Sequence, residues 1–210
     1  MPILTGLAPD LRQSGYLLVE VDRGRFASLP GEALTSLRLD IGREIPAAVL
    51  ARLRELADIE GAFRAALRAL TRRPHARRDL GRKLVRKQHP PEAVEAALER
   101  LEARGLIDDR RFAELYAAVR ATRGRGPTRL VKDLLAQGVD ARVAEQSVRR
   151  ALEDEGLTPE IEARAVAAKR VRQLADLPPM VRKRRLLAFL ARRGYAGAAA
   201  LEVVRELLER

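Results

Sequence analysis

The chain of 210 residues is 47% hydrophobic but only 3% aromatic, and it contains neither Trp nor Cys. Its cores must be built from Leu, Val and Ala, which favours helix-on-helix packing. Disulfides, thiolate metal sites, iron–sulfur clusters and cysteine nucleophiles are excluded. With 41 basic residues, mostly Arg, against 29 acidic ones, the net charge is +12. Such a balance suits a polyanionic partner, because each neutralised phosphate releases counterions and Arg holds phosphate oxygens bidentately; the alternative is an ordinary solvated surface. No apolar run nears the roughly 20 residues of a membrane span, and the first residues show no export-signal pattern, so a cytoplasmic location is expected.

In chain order, the first elements read as β-structure. Tyr16–Val21 and Arg25–Leu29 are short apolar runs flanking Asp22-Arg23-Gly24, the pattern of a hairpin. A second strand pair is expected at Ser36–Asp40 and Glu44-Ile45, interrupted by Gly42. Pro46 then suits a first helical position, and Val49, Leu50 and Leu53 continue at helical spacing. This opening segment, 1–60, holds 7 basic and 9 acidic residues and is the one part that is not positively charged.

Beyond residue 60 the chain repeats itself three times. With Leu84, Leu134 and Leu190 as anchors, four residues earlier stand Leu80, Leu130 and Leu186, and fourteen later stand Leu98, Val148 and Val204. Four after each anchor come Gln88, Gly138 and Gly194, where a helix should end in a left-handed residue. His89, Val139 and Tyr195 follow at five, and Val94, Ala144 and Ala200 at ten. Each copy reads as three helices. The first helix buries Phe63, Ala66, Leu67 and Leu70 in copy one and Phe112, Leu115, Tyr116 and Val119 in copy two. Copy three is weaker: Ala167, Val171 and Leu174 fit the pattern, but Arg170 occupies the fourth apolar position. The expected fold is mainly α: three tandem three-helix, helix-turn-helix-like repeats in an elongated, curved body, after a small β-rich module. Boundaries are expected at 1–58, 59–107, 108–157 and 158–210.

Catalytic signatures are absent: no Gly-x-x-x-x-Gly-Lys, no Gly-x-Ser-x-Gly and no His-Glu-x-x-His. No cofactor, metal or catalytic residue is assigned, and the chain is read as a non-enzyme. Gly124-Arg125-Gly126 reads as a hinge between helical segments. His75 and His89, each beside proline, read as solvated loop residues rather than ligands. Asp108-Asp109 precede a helix start, where carboxylates accept backbone N–H groups, and they read as caps rather than as a metal pair.

Basic clusters carry the stronger functional signal. Arg72, Arg73, Arg77, Arg78, Arg82, Lys83, Arg86 and Lys87 surround the second helix of copy one, with Arg78, Arg82 and Arg86 along one face. Like charges at that spacing repel, so an anionic partner is expected to neutralise them. Arg182, Lys183, Arg184 and Arg185 occupy the corresponding stretch of copy three.

Residues 62–152 resemble the RecX recombination regulators. The resemblance rests on Ala66-Leu67-Arg68-Ala69-Leu70, on Arg77-Arg78-Asp79-Leu80 with Lys83-Leu84, and above all on Gly105-Leu106-Ile107-Asp108-Asp109-Arg110-Arg111-Phe112-Ala113. Gly126-Pro127 and Leu134 through Gly138-Val139 agree as well. Ala76 departs from the family, which often has a capping Ser there. The resemblance implies a protein that lodges along the groove of a RecA filament and lowers ATP hydrolysis, filament extension and strand exchange. It also implies contact with single-stranded, and in places duplex, DNA. A stand-alone nucleic-acid-binding repeat protein is the alternative. Without a long heptad or an obvious apolar interface, a monomer is expected.

Overall fold

The computed structural model describes residues 1–209. Strands β1 (Leu4–Pro9), β2 (Tyr16–Val21) and β3 (Gly24–Pro30) form an antiparallel sheet in the order β1-β2-β3. Asp22 and Arg23 both take positive φ, 50° and 65°, the two-residue turn whose twist matches a hairpin. Asp22 Oδ1 accepts the Ile3 N–H at 2.8 Å, and Thr5 Oγ1 accepts the Arg23 N–H at 2.8 Å. The hairpin read from sequence is present, but the second strand pair is not. Residues Gly31–Leu34 form a short helix, α1, which passes into a 3-10 turn at Thr35–Leu37, and Arg38 turns left-handed. Glu44 makes only an isolated bridge to Ile3. The third strand is instead β1, which precedes the hairpin and for which no expectation was formed. A Cβ at Gly6 would fall 2.5 Å from a Glu20 carboxylate oxygen, which would have to swing aside.

Two units divide the chain: residues 1–73 with 80–106, and residues 74–79 with 107–210. In the first, Leu4, Val19, Leu29, Leu34, Ile45 and Leu53 bury together. Leu53 belongs to α2 (Ala47–Arg72), a single helix of 26 residues, so the helix opened by Pro46 runs on without a break into the first helix of copy one. Helices α3 (Arg77–Arg86) and α4 (Pro91–Ala103) follow, with Leu80, Leu84, Val94, Leu98 and Leu101 buried.

The first unit also holds a chain of polar contacts around Glu60, whose side chain is 4% exposed. Its Oε1 accepts from Arg64 Nε and its Oε2 from Arg100 Nη1, both at 2.9 Å. Arg100 also donates to the Tyr16 hydroxyl at 2.7 Å and lies 4.0 Å from the Phe63 ring centre. Burial disfavours the Arg100 charge, but its bonds to Tyr16 and Glu60 outweigh this and raise its pKa. Arg64 reaches Gln13 and the Ser28 carbonyl. Residues of the sheet, α2 and α4 are thereby joined by charge-assisted hydrogen bonds.

In the second unit, α5 (Asp109–Ala121), α6 (Pro127–Gln137) and α7 (Ala141–Asp154) enclose a core of Phe112, Leu130, Leu134, Val139 and Val148. Helices α8 (Pro159–Arg172), α9 (Pro179–Arg193) and α10 (Ala198–Leu208) enclose Ala167, Leu174, Leu186, Leu190, Tyr195 and Val204. All three anchor leucines and their partners four residues earlier are buried. Gln88, Gly138 and Gly194 are all left-handed at the ends of the second helices, as their register requires.

The buried face of the first helices matches the expected one in part: Phe63, Ala66, Phe112, Ala167 and Leu174 are buried, but alanines take the place of some larger side chains. In α5, Phe112, Ala113, Ala117 and Ala121 are buried, while Leu115 and Val119 are exposed. Alanines allow a close helix approach, whereas spacing alone favours the bulkier side chains. Arg170 in α8 does not enter the core. It shares the Phe189 ring with Arg193, the guanidinium carbons lying 5.6 and 5.0 Å from the ring centre.

Candidate polyanion-binding surface

The α3 cluster begins where α2 ends. Arg72 and Arg73 are exposed at the close of α2, and Arg78, Arg82, Arg86 and Lys87 are exposed on or just after α3. Arg77 and Lys83 are half-buried. In α9, Lys183, Arg184 and Arg185 are exposed, and Arg182 is half-buried with its Nε lacking a hydrogen-bond partner. Counted from the anchors, Arg184 holds the register of Arg78. Among the described residues, Arg72, Arg78, Arg86, Lys87, Lys183, Arg184 and Arg185 make no ion pair. Copy two differs in this respect. Asp133 pairs with both Arg125 and Arg129, the latter at 2.9 Å, so two cations near α6 share one carboxylate.

The residues of the Gly105–Ala113 stretch do structural work. Gly105 is left-handed, and the Leu106 N–H returns to the Leu101 carbonyl at 2.9 Å, closing α4. Leu106 is nonetheless 48% exposed, and Ile107 supplies the buried apolar contact. Asp108 caps α5 by accepting the Arg111 N–H at 3.0 Å. Asp109 reaches elsewhere: its Oδ1 accepts the Arg77 N–H at 2.7 Å. The cap that Ala76 cannot supply thus comes from Asp109.

His75 is 2% exposed, and its Nδ1 lies 2.9 Å from Asp79 Oδ2. The expected solvated loop residue is therefore a buried one, placed by the burial of Ala76 among the copy-two core residues. His89 is half-buried beside Gly61. The hinge expected at Gly124-Arg125-Gly126 is a tight packing point. A Cβ on Gly126 would fall 2.5 Å from the Gly194 carbonyl oxygen, and one on Gly124 would fall 2.7 Å from Val166. Gly138 is equally constrained, since its Cβ would meet Arg78 at 2.6 Å. Among the described residues no group of three or more His, Asp or Glu side chains could hold a metal ion.

Sequence reasoning missed a third basic cluster formed by Arg123, Lys169, Arg170 and Arg193, which line one cleft of 620 Å³. These residues come from three distant segments, so no local run announces them. The one available signal was Arg170, a charge standing at an apolar position of the repeat.

Tandem three-helix modules, two exposed basic stretches in matching register and the Gly105–Asp109 linker define a helical repeat protein. Three family models match in succession: the first three-helix domain of RecX over residues 62–101, the second over 108–148 and the third over 162–204. The chain belongs to the RecX family. It is similar to the regulatory protein RecX of Thermobifida fusca (strain YX), with 41% identity over 68% of this chain and 76% of that one. To that of Halorhodospira halophila (strain DSM 244 / SL1) it is 41% identical over 62% and 78%. A crystal structure of a regulatory protein RecX has the same fold, with a TM-score of 0.75 and 20% identity over the whole of both chains. RecX from Lactobacillus salivarius gives 0.60 over 71% of this chain and 96% of that one.

Proposed function

We propose that this protein binds RecA nucleoprotein filaments along their groove and restrains ATP hydrolysis, filament extension and strand exchange without catalysing a reaction itself. The reading is supported by family membership together with one observation: exposed Arg and Lys side chains without ion-pair partners on α3 and α9. Unpaired cations at matching positions of two modules suit the phosphates of DNA held within a protein filament. The β module, lacking a positive balance, tunes docking or stability rather than contacting DNA strongly. The protein acts in the cytoplasm as a monomer.

The deciding measurement is DNA-dependent ATP hydrolysis by the cognate RecA, with this protein titrated onto preassembled filaments at fixed single-stranded DNA. Substoichiometric inhibition is expected, because masking bare DNA would need far more protein. Tight binding to bare DNA with no inhibition would overturn the filament reading in favour of a stand-alone nucleic-acid binder.

A further inference from the structure

The 620 Å³ cleft in the second unit is walled by the turn after α5 (Thr122, Arg123, Gly124), one face of α8, and the end of α9. Four of its lining residues are basic, Arg123, Lys169, Arg170 and Arg193, and only Glu162 is acidic. None of the four makes an ion pair among the described residues. Arg170 and Arg193 are both held on Phe189. Arg170 Nη1 is fixed on Gln173 Oε1 at 2.5 Å, and Arg193 Nη1 on the Gly124 carbonyl at 3.3 Å. Arg170 Nε, shielded from water, has no acceptor.

Helix dipoles explain part of this arrangement, since Lys169, Arg170 and Arg193 stand in the last turns of α8 and α9. They do not explain why two guanidiniums share one ring with no carboxylate between them, or why an N–H donor is left without a partner. An anion with several acceptor oxygens would neutralise the two guanidiniums through their solvent-facing N–H groups. A guanidinium whose rotamer is already fixed loses little entropy when it binds such a group bidentately.

We propose that this cleft is a phosphate-binding site, with Arg170 and Arg193 as its fork and Lys169 and Arg123 at its rim. The phosphate comes either from a polynucleotide backbone or from a free phosphoanion. Its residues are distinct from the basic stretches of α3 and α9, so the site stands or falls separately from the filament reading.

The test uses the full chain and two probes, a fluorescein-labelled oligothymidylate followed by anisotropy over a salt series, and inorganic pyrophosphate followed by calorimetry. For the double variant Lys169→Gln/Arg170→Gln, oligonucleotide binding is expected to weaken about ten-fold, with the log–log salt slope smaller by about one. Arg170→Lys, which keeps charge but not the fork, should lie in between. Glu162→Gln, which removes the single carboxylate of the cleft, should bind a few-fold more tightly. A loss confined to pyrophosphate would support the site and assign it to a free phosphoanion. Lys169 is exposed, so Lys169→Gln alone gives a readout in a folded protein if the double variant fails to fold. Unchanged affinity for both probes in folded variants would overturn the proposal.

Discussion

Asp109 Oδ1 accepts the backbone N–H of Arg77 at 2.7 Å, so a residue at the start of α5 caps the first turn of α3 across 32 positions of sequence. Asp108, its neighbour, caps α5 itself. A pair of carboxylates that resembles a metal motif thus satisfies two different helix starts. Asp109→Ala should lower stability by about 1 kcal/mol, the usual worth of a cap, and should speed amide exchange at Arg77. Denaturant unfolding together with exchange measured by NMR checks both effects.

Gly126 faces the Gly194 carbonyl with no room for a side chain. Gly126→Ala should destabilise the second unit by roughly 1–3 kcal/mol through overpacking. Gly156→Ala is the comparison, because its surroundings are open but its φ is +62°. The cost there should be only about 1–2 kcal/mol, for the left-handed backbone. Thermal melts of the two variants separate packing from backbone strain.

Glu60 is the shared counter-ion of Arg64 and Arg100. Glu60→Gln leaves two partly buried guanidiniums without their carboxylate. A loss of about 2–4 kcal/mol is expected, below the full buried-pair range because both Arg side chains reach solvent. Unfolding by urea gives the value.

The Tyr195 phenol is pushed up to about 12, first by burial and then by the charge of Glu162. Its folded pKa is therefore above the unfolded one. The stability linked to it is fully present below pH 10 and is lost as pH rises from 10 through about 12. Tyr195→Phe should flatten this alkaline fall. Melting temperatures of both proteins across that window are the check.

Arg82 and Arg86 lie exposed on α3. The double change Arg82→Glu/Arg86→Glu should abolish inhibition of RecA filaments while leaving helicity, read by circular dichroism, unchanged. Arg78 is left intact because its side chain lies against Gly138. Retained inhibition would remove this face from the interface.

Much of the helical part was legible in the sequence. The anchor leucines and the left-handed positions at Gln88, Gly138 and Gly194 follow from local rules of burial and backbone geometry. The misses arose where tertiary neighbours decide. Periodicity favoured Leu115 and Val119, but the close helix approach selected the alanines of α5. His75 looked solvated because nothing local shows that Ala76 beside it is buried with residues of copy two. Strand β1 went unread because Gly6 and Pro9, both poor strand formers, break up its apolar residues. The basic stretches of α3 and α9 are contiguous and therefore visible, whereas the cleft around Phe189 is assembled from residues far apart in the chain.

Ala76 and Gly126 hold the same register, eight residues before their anchors, but their surroundings differ. Ala76 is buried in one cluster with Val139, whereas Gly126 lies beneath Tyr195, where a Cβ would fall 2.9 Å from the ring. At position 126 even an alanine would collide with the Gly194 backbone and the Tyr195 ring, whereas position 76 already holds a buried methyl group. One and the same register thus tolerates different side chains in different copies. A consensus sequence averaged over the repeats would place a methyl group at 126 and break that packing, so the copies are alike in pattern but not interchangeable residue for residue.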